Sequence, residues 1–236
     1  MKIKYFTLPN ILTLANLLCG VFASLTTVAG IWDPSISLAV PLLFILASAV
    51  FDFLDGFAAR LTGQYSPLGV QLDSLADMVS FGLTPSLILV ALYNNAGGLG
   101  WWWLIALGVV LCSALRLARF NIDEEQRDSF IGLPTPALAI AVGSLAWAVE
   151  AGDLTLSPSV LLAISLVGAW LLISPIRMFS FKFKSFAIGE NAVRFGFLAF
   201  ALTIVIIGGL SALWCVIAAY IAISLILQLT TKKERN

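Results

Sequence analysis

The chain has 236 residues, of which 60% are hydrophobic and only 11% charged, and its formal net charge is zero. That balance excludes an ordinary soluble domain, which would expose too much apolar surface, and the lack of net positive charge offers nothing to a nucleic-acid partner. Three cysteines, Cys19, Cys112 and Cys215, fall in separate apolar runs without CxxC spacing, which argues against a disulfide framework or a thiolate metal site.

Eight apolar runs, separated by short polar or Gly/Pro breaks, read as membrane helices near 11–30, 36–57, 72–93, 101–120, 134–149, 158–174, 192–208 and 210–230. The expected fold is an all-α integral membrane protein with about eight transmembrane helices, forming a single membrane-embedded domain over residues 1–236. The fifth and sixth runs are short and Gly208-Gly209 leaves only a tight turn, so six spans is the alternative count. Lys2 and Lys4 ahead of the first run mimic a secretory signal, but Pro9-Asn10 reads as a helix start, with Met1 to Thr7 as a short interfacial segment.

Basic residues set the orientation, because cytoplasmic segments retain Lys and Arg during insertion. With the N-terminus inside, the inner segments contain all thirteen basic residues, and the outer loops near 31–35, 94–100, 150–157 and 208–210 contain none. Trp32, Trp101, Trp102, Trp103 and Trp147 gather at outer helix ends, as an interfacial belt would. Both termini are therefore expected at the cytoplasmic face of the cell membrane.

The chemistry-bearing stretch is FDFLDGFAARLTGQYSPLGVQLDSLADMVSFG, residues 51–82. On a helix, Asp52, Asp55, Gly56 and Ala59 share one face, and Asp73 and Asp77 share another. Gly63 and Pro67 mark a turn between Leu61 and Leu68, so the two helices should be antiparallel neighbours with the four aspartates facing one another at their cytoplasmic ends. An ionised carboxylate at the bilayer centre costs roughly 2.5 to 3.5 kcal/mol, so four together call for cations. Oxygen ligands without histidine or thiolate suit Mg²⁺ or Mn²⁺, and two helices sharing carboxylates can hold a pair of ions about 4 Å apart around a diphosphate. Gly56, Ala59 and Gly69 fit close approach of a bulky group to the backbone; a small-xxx-small helix contact is the alternative. For the aspartates, the bland alternatives are solvated helix ends or partners for Arg60. An ion-coupled transporter is the competing functional class, although its site would sit nearer the membrane midplane.

The spacing D-x2-D-G-x2-A-R-x8-G-x3-D-x3-D, matched at every specified position over the 26 residues from Asp52 to Asp77, resembles the signature of the CDP-alcohol phosphatidyltransferases. The resemblance implies that Asp52, Asp55 and Asp73 ligate metal, and that Asp77, also among the ligands, is the base for the acceptor hydroxyl. It further implies that Gly56, Ala59 and Gly69 line the CDP site with Arg60 in support. The stretches LPNILTLANLLCG (8–20), ALRLARFN (114–121), FIGLPTPALA (130–139) and IRMFSFKFKSF (176–186) are similar to the phosphatidylserine synthase branch of that family. CDP-diacylglycerol and L-serine are then the implied substrates, CMP the product, and a homodimer embedded among membrane lipids the implied assembly. Glycerol phosphate or inositol phosphate are the alternative acceptors.

Serine carries a carboxylate, so its site should contain fixed positive charge. Arg116 and Arg119, at i and i+3, suit that carboxylate or a lipid phosphate; topological anchoring is the competing role. Asn10 and Asn16 can reach a substrate or bond a neighbouring helix. Arg177, Lys182 and Lys184 read as a solvated inner patch, Glu190 and Arg194 as an ordinary i, i+4 pair, and Gly132, Pro134 and Pro136 as a loop beside the site.

Overall fold

A computed structural model describes residues 5–33, 35–123, 131–179 and 192–233, and there the regular elements are helical. Thr7 caps the first helix by accepting from the Asn10 amide, and Pro9 pre-sets the first turn, so α1 runs from Leu8 to Trp32. Helix α2 (Val40–Thr62) stops where Gly63 takes the left-handed conformation, φ 64°. Ser66 then caps α3 (Pro67–Asp77), its hydroxyl accepting from Gly69 N at 3.0 Å. A π-helical segment, Met78–Leu83, joins α3 to α4 (Thr84–Asn95) without a break in the rod.

After a 3₁₀ turn at Trp102–Ala106 come α5 (Leu107–Ile122), α6 (Thr135–Glu150) and α7 (Pro158–Ile173). The last elements are α8 (Ala192–Gly208), a 3₁₀ turn at Gly209–Ala212 and α9 (Leu213–Lys233). By length and composition five helical stretches among the described residues can cross a bilayer, Leu8–Trp32, Val40–Thr62, Pro67–Asn95, Trp102–Ile122 and Val193–Thr230; Thr135–Glu150 and Pro158–Ile173 are apolar but shorter. The stretch Val193–Thr230 is folded back on itself, since the Phe197 and Tyr220 rings lie 6.1 Å apart, a distance an unbroken helix would not allow.

Helix α4 occupies the centre. Ile88 through Tyr93 are buried in succession, the pattern of a helix enclosed on every side, with α1, α5, α6 and α7 around it. Gly132, with φ +77°, lets the strap before α6 lie against the end of α7: a Cβ there would stand 2.4 Å from the Leu172 carbonyl oxygen, and its amide donates to Ile176 O at 2.8 Å. An isolated antiparallel bridge between Ile131 and Arg177 continues that contact.

Two boundaries differ from the sequence expectation in a way that moves the site. Helix α2 continues to Thr62 and α3 begins at Pro67, five residues beyond and before the expected limits. The polar residues between Asp52 and Thr62 do not end the helix, because Ala58, Ala59, Arg60 and Leu61 are good helix formers and the first left-handed glycine is Gly63. Asp52 and Asp77 therefore lie ten residues from the turn-side ends of their helices, about 15 Å along the axis, and are not terminal groups.

Candidate functional site

Helix α1 packs along both α2 and α3, whereas α2 and α3 scarcely touch each other. The gap between them receives the carboxylates. Asp52, Asp55 and Asp73 each bring one oxygen to within 4.8 Å of the others. Asp55 and Asp77 are buried, and Asp52 and Asp73 are half-buried. Two unit charges that far apart repel by about 3 kcal/mol at an effective dielectric near 20, so the trio is unfavourable as bare anions.

No arginine or lysine among the described residues is ion-paired with any of the four aspartates, and Arg60 is exposed in the last turn of α2. Partnership with Arg60 therefore does not account for them. Asp73 Oδ1 is buried without a hydrogen-bond partner among the described residues. Three converging carboxylates, one with an orphaned oxygen, form a donor set that fits a hard divalent cation.

Helix α1 lines the other side with polar groups on an otherwise apolar rod. Thr13 donates to Asp55 Oδ2 at 2.5 Å, and Asn16 Nδ2 donates to Asp77 Oδ1 at 3.1 Å. The backbone oxygen of Asn16 accepts from Ser48 on α2 and Ser80 in the π segment, each at 3.1 Å. Farther along, Thr84 bonds Gly20 O and lies 2.9 Å from Ser24 Oγ. These bonds set the position of the π segment directly after Asp77, and Gly20 permits the contact, since a Cβ there would lie 2.7 Å from Ser80 Cα.

Beside the trio opens a cleft of about 150 Å³ lined by Asn10, Thr13, Asp55, Gly56, Ala59, Gly69 and Asp73, among others. A Cβ placed on Gly56 meets nothing within 4 Å, so this glycine faces open space and makes no small-residue helix contact. Gly69 is closer to its neighbours, 3.3 Å from Asn10 Oδ1 by the same construction.

The family model described as CDP-alcohol phosphatidyltransferase matches residues 6–174, which include all four aspartates, the cleft and the polar face of α1. The chain belongs to the CDP-alcohol phosphatidyltransferase family. Among its similar relatives is the CDP-diacylglycerol–serine O-phosphatidyltransferase of Bacillus subtilis, 36% identical over 179 residues, or 74% of this chain and 91% of that protein. The Mycobacterium leprae protein of the same name is 33% identical over 223 residues, 91% of this chain and 72% of the relative. The Methanocaldococcus jannaschii protein of that name is 40% identical over 137 residues, 58% of this chain and 59% of the relative.

Within this phosphatidyltransferase frame, the remaining predicted positions separate. Asn10 lines the cleft, its Nδ2 tied to Tyr5 O at 2.8 Å. Arg60 is not among the cleft residues. Arg116 and Arg119 diverge: Arg116 is buried, with Asp77 and Tyr220 as its ionisable neighbours, whereas Arg119 is exposed and paired with Asp123 at 3.2 Å. Asp77 is not one of the trio within 4.8 Å, and it accepts a hydrogen bond from Asn16. Pro134 precedes α6 and Pro136 lies in its first turn. Arg177 is exposed; Lys182, Lys184 and Glu190 lie outside the described residues. Thr13 and the π segment escaped sequence reasoning. The signal for Thr13 was present in the spacing Asn10, Thr13, Asn16, Gly20, Ser24, Thr27, a polar and small stripe along one face of α1.

Proposed function

We propose that the protein transfers the phosphatidyl group of CDP-diacylglycerol to the hydroxyl of L-serine, yielding phosphatidylserine and CMP. The observation that carries the reading is the convergence of Asp52, Asp55 and Asp73 within 4.8 Å beside a cleft that holds the glycines of the family signature. Serine as acceptor is supported by the names of the relatives and by the scarcity of buried cationic groups: among the described residues Arg116 is the buried arginine. A phosphorylated alcohol would require a denser basic pocket.

In this reading Asp52, Asp55, Asp73 and Asp77 would hold two Mg²⁺ or Mn²⁺ ions, which when bound would supply positive charge to neutralise the diphosphate and make its phosphorus more electrophilic. Gly56, Ala59 and Gly69, with Asn10, leave the cleft open to the CDP moiety, and Arg60 supports its rim. Asp77, oriented by Asn16, takes the proton of the serine hydroxyl as that oxygen forms its bond to the phosphatidyl phosphorus. The bond from that phosphorus to the CMP oxygen breaks, and CMP leaves with the electron pair. Thr13 fixes one oxygen of Asp55, which keeps the carboxylate turned toward the cleft.

The same reading has eight spans, with both termini and the aspartates toward the cytoplasmic face of the cell membrane, and a homodimer as the assembly. It would put the reacting groups about 15 Å along the helices from the α2–α3 turn, within reach of a lipid diphosphate drawn in from the headgroup layer. The test is purified protein with CDP-diacylglycerol, Mg²⁺ or Mn²⁺, and a panel of serine, glycerol phosphate and inositol phosphate. CMP release that depends on serine is expected; release with a phosphorylated alcohol and none with serine would overturn the assignment.

A further inference from the structure

Asp77 has two buried neighbours with unused hydrogen-bonding capacity of opposite polarity. Asn16 is fully buried, and because its Nδ2 donates to Asp77, its Oδ1 is an acceptor with no donor among the described residues. Arg116 is 7% exposed, and its Nε is a donor with no acceptor among the described residues. Asp77 is the carboxylate that Arg116 senses, with the Tyr220 hydroxyl as its other ionisable neighbour. Asn16 stands on α1 and Arg116 on α5. Both helices pack against the α3–π rod that carries Asp77, and they scarcely touch each other, so the two groups approach Asp77 from different helices.

A native protein rarely leaves a fully buried amide oxygen and a buried guanidinium nitrogen both unpaired, because each has given up water without recovering a partner. An orphan pair of opposite polarity beside a base is the complement of a ligand that carries both charges. We propose that Asn16 Oδ1 and Arg116 form a bipolar acceptor pocket around Asp77, Arg116 taking the carboxylate and Asn16 Oδ1 the ammonium of an α-amino acid whose hydroxyl faces Asp77. The proposal rests on the reading of serine as acceptor and specifies how serine is told from its near relatives. Ethanolamine satisfies only the Asn16 side. Glycerate satisfies only the Arg116 side. A phosphorylated alcohol brings further anionic oxygens and nothing to donate to Asn16 Oδ1.

Removing the Asn16 side chain leaves in place the bonds that Ser48 and Ser80 make to its backbone oxygen, which tie α1 to α2 and the π segment. The full-length protein, purified with lipid and supplied with CDP-diacylglycerol and divalent metal, is assayed for CMP release with L-serine, and with ethanolamine and glycerate as substrates or competitive inhibitors. In Arg116→Gln, the preference for serine over ethanolamine should fall roughly 10- to 100-fold while the KM for CDP-diacylglycerol stays within about twofold. In Asn16→Ala, the preference for serine over glycerate should fall by a similar roughly 10- to 100-fold. Any general loss from a less well-held Asp77 cancels in that ratio. The milder Arg116→Lys and Asn16→Ser should show the same ordering with smaller shifts, which covers failure of the first pair to fold. Equal losses for all three acceptors would overturn the pocket and leave the two residues a structural role. Absence of serine turnover in the wild type would instead overturn the acceptor assignment beneath it.

Discussion

The aspartate-bearing rod and the C-terminal hairpin are both strongly apolar, yet they are packed in opposite ways. In the most apolar window of Pro67–Asn95, 72% of residues are buried inside the protein, against 6% in that of Val193–Thr230. Hydropathy alone therefore does not distinguish a helix that faces other helices from one that faces hydrocarbon. What distinguishes them is the polar content of the neighbour: α1 offers Asn16, Gly20 and Ser24 to the rod, where they bond Asp77, Ser80 and Thr84, and Thr13 to Asp55 across the site on α2. A polar group in hydrocarbon has to find its partner on another helix, so the polar face of α1 and the aspartates are two halves of one arrangement. The hairpin is tied to its neighbours largely through backbone groups: Ser144 of α6 joins it at Leu210 O and Trp214 N, Ser224 and Gln228 accept from the Phe179 and Arg177 amides, and Tyr220 reaches Phe179 O.

The largest effect should come from the rod. Asp77→Asn keeps size and shape but removes the proposed proton acceptor, and turnover should fall by roughly 10²- to 10⁴-fold with CDP-lipid binding retained. Wild-type rates in that variant would remove Asp77 from the base role. Next comes Gly20→Ala, whose new Cβ would meet Ser80 Cα at 2.7 Å and force α1 and the π segment apart. A loss of about 1 to 3 kcal/mol in stability is expected, read as a lower unfolding temperature with activity falling alongside. Thr13→Val removes the hydroxyl that holds Asp55, and a change of about 1 kcal/mol should appear as a several-fold higher divalent-metal requirement. The smallest effect belongs to the hairpin. Gly209 has φ +57° but open space around its missing side chain, so Gly209→Ala should cost about 1 to 2 kcal/mol at most and leave turnover within about twofold of wild type. Loss of activity there comparable to that at Gly20 would erase the contrast between the two regions.

Much of this was legible in the residues. Eight apolar runs appear as helical rods in the expected order, and the aspartate spacing predicted two carboxylate-bearing helices joined at Gly63. The helix boundaries around the site were less legible. Ser66-Pro67 is a helix-start signal, an N-cap followed by proline at the first position, yet Gly63 and Pro67 also read as turn residues, and on that reading α3 starts five residues too late. The π segment leaves no mark in composition, because one residue of extra register within MVSFGL changes neither hydropathy nor length. The i, i+3 spacing of Arg116 and Arg119 puts them on neighbouring positions of α5, but Arg116 is enclosed by the packed helices whereas Arg119, in the last turn, is exposed and pairs with Asp123.

The central claim is that the carboxylates converging between α2 and α3 carry a metal-dependent phosphatidyl transfer. The most direct measurement is serine-dependent CMP release by the chelated protein during titration with Mn²⁺ or Mg²⁺, wild type beside Asp73→Asn. Activity should vanish on chelation, return with either metal in the wild type, and require far more metal or fail to return in the variant. Serine-dependent release at the full rate after chelation, or an identical metal titration in Asp73→Asn, would contradict it.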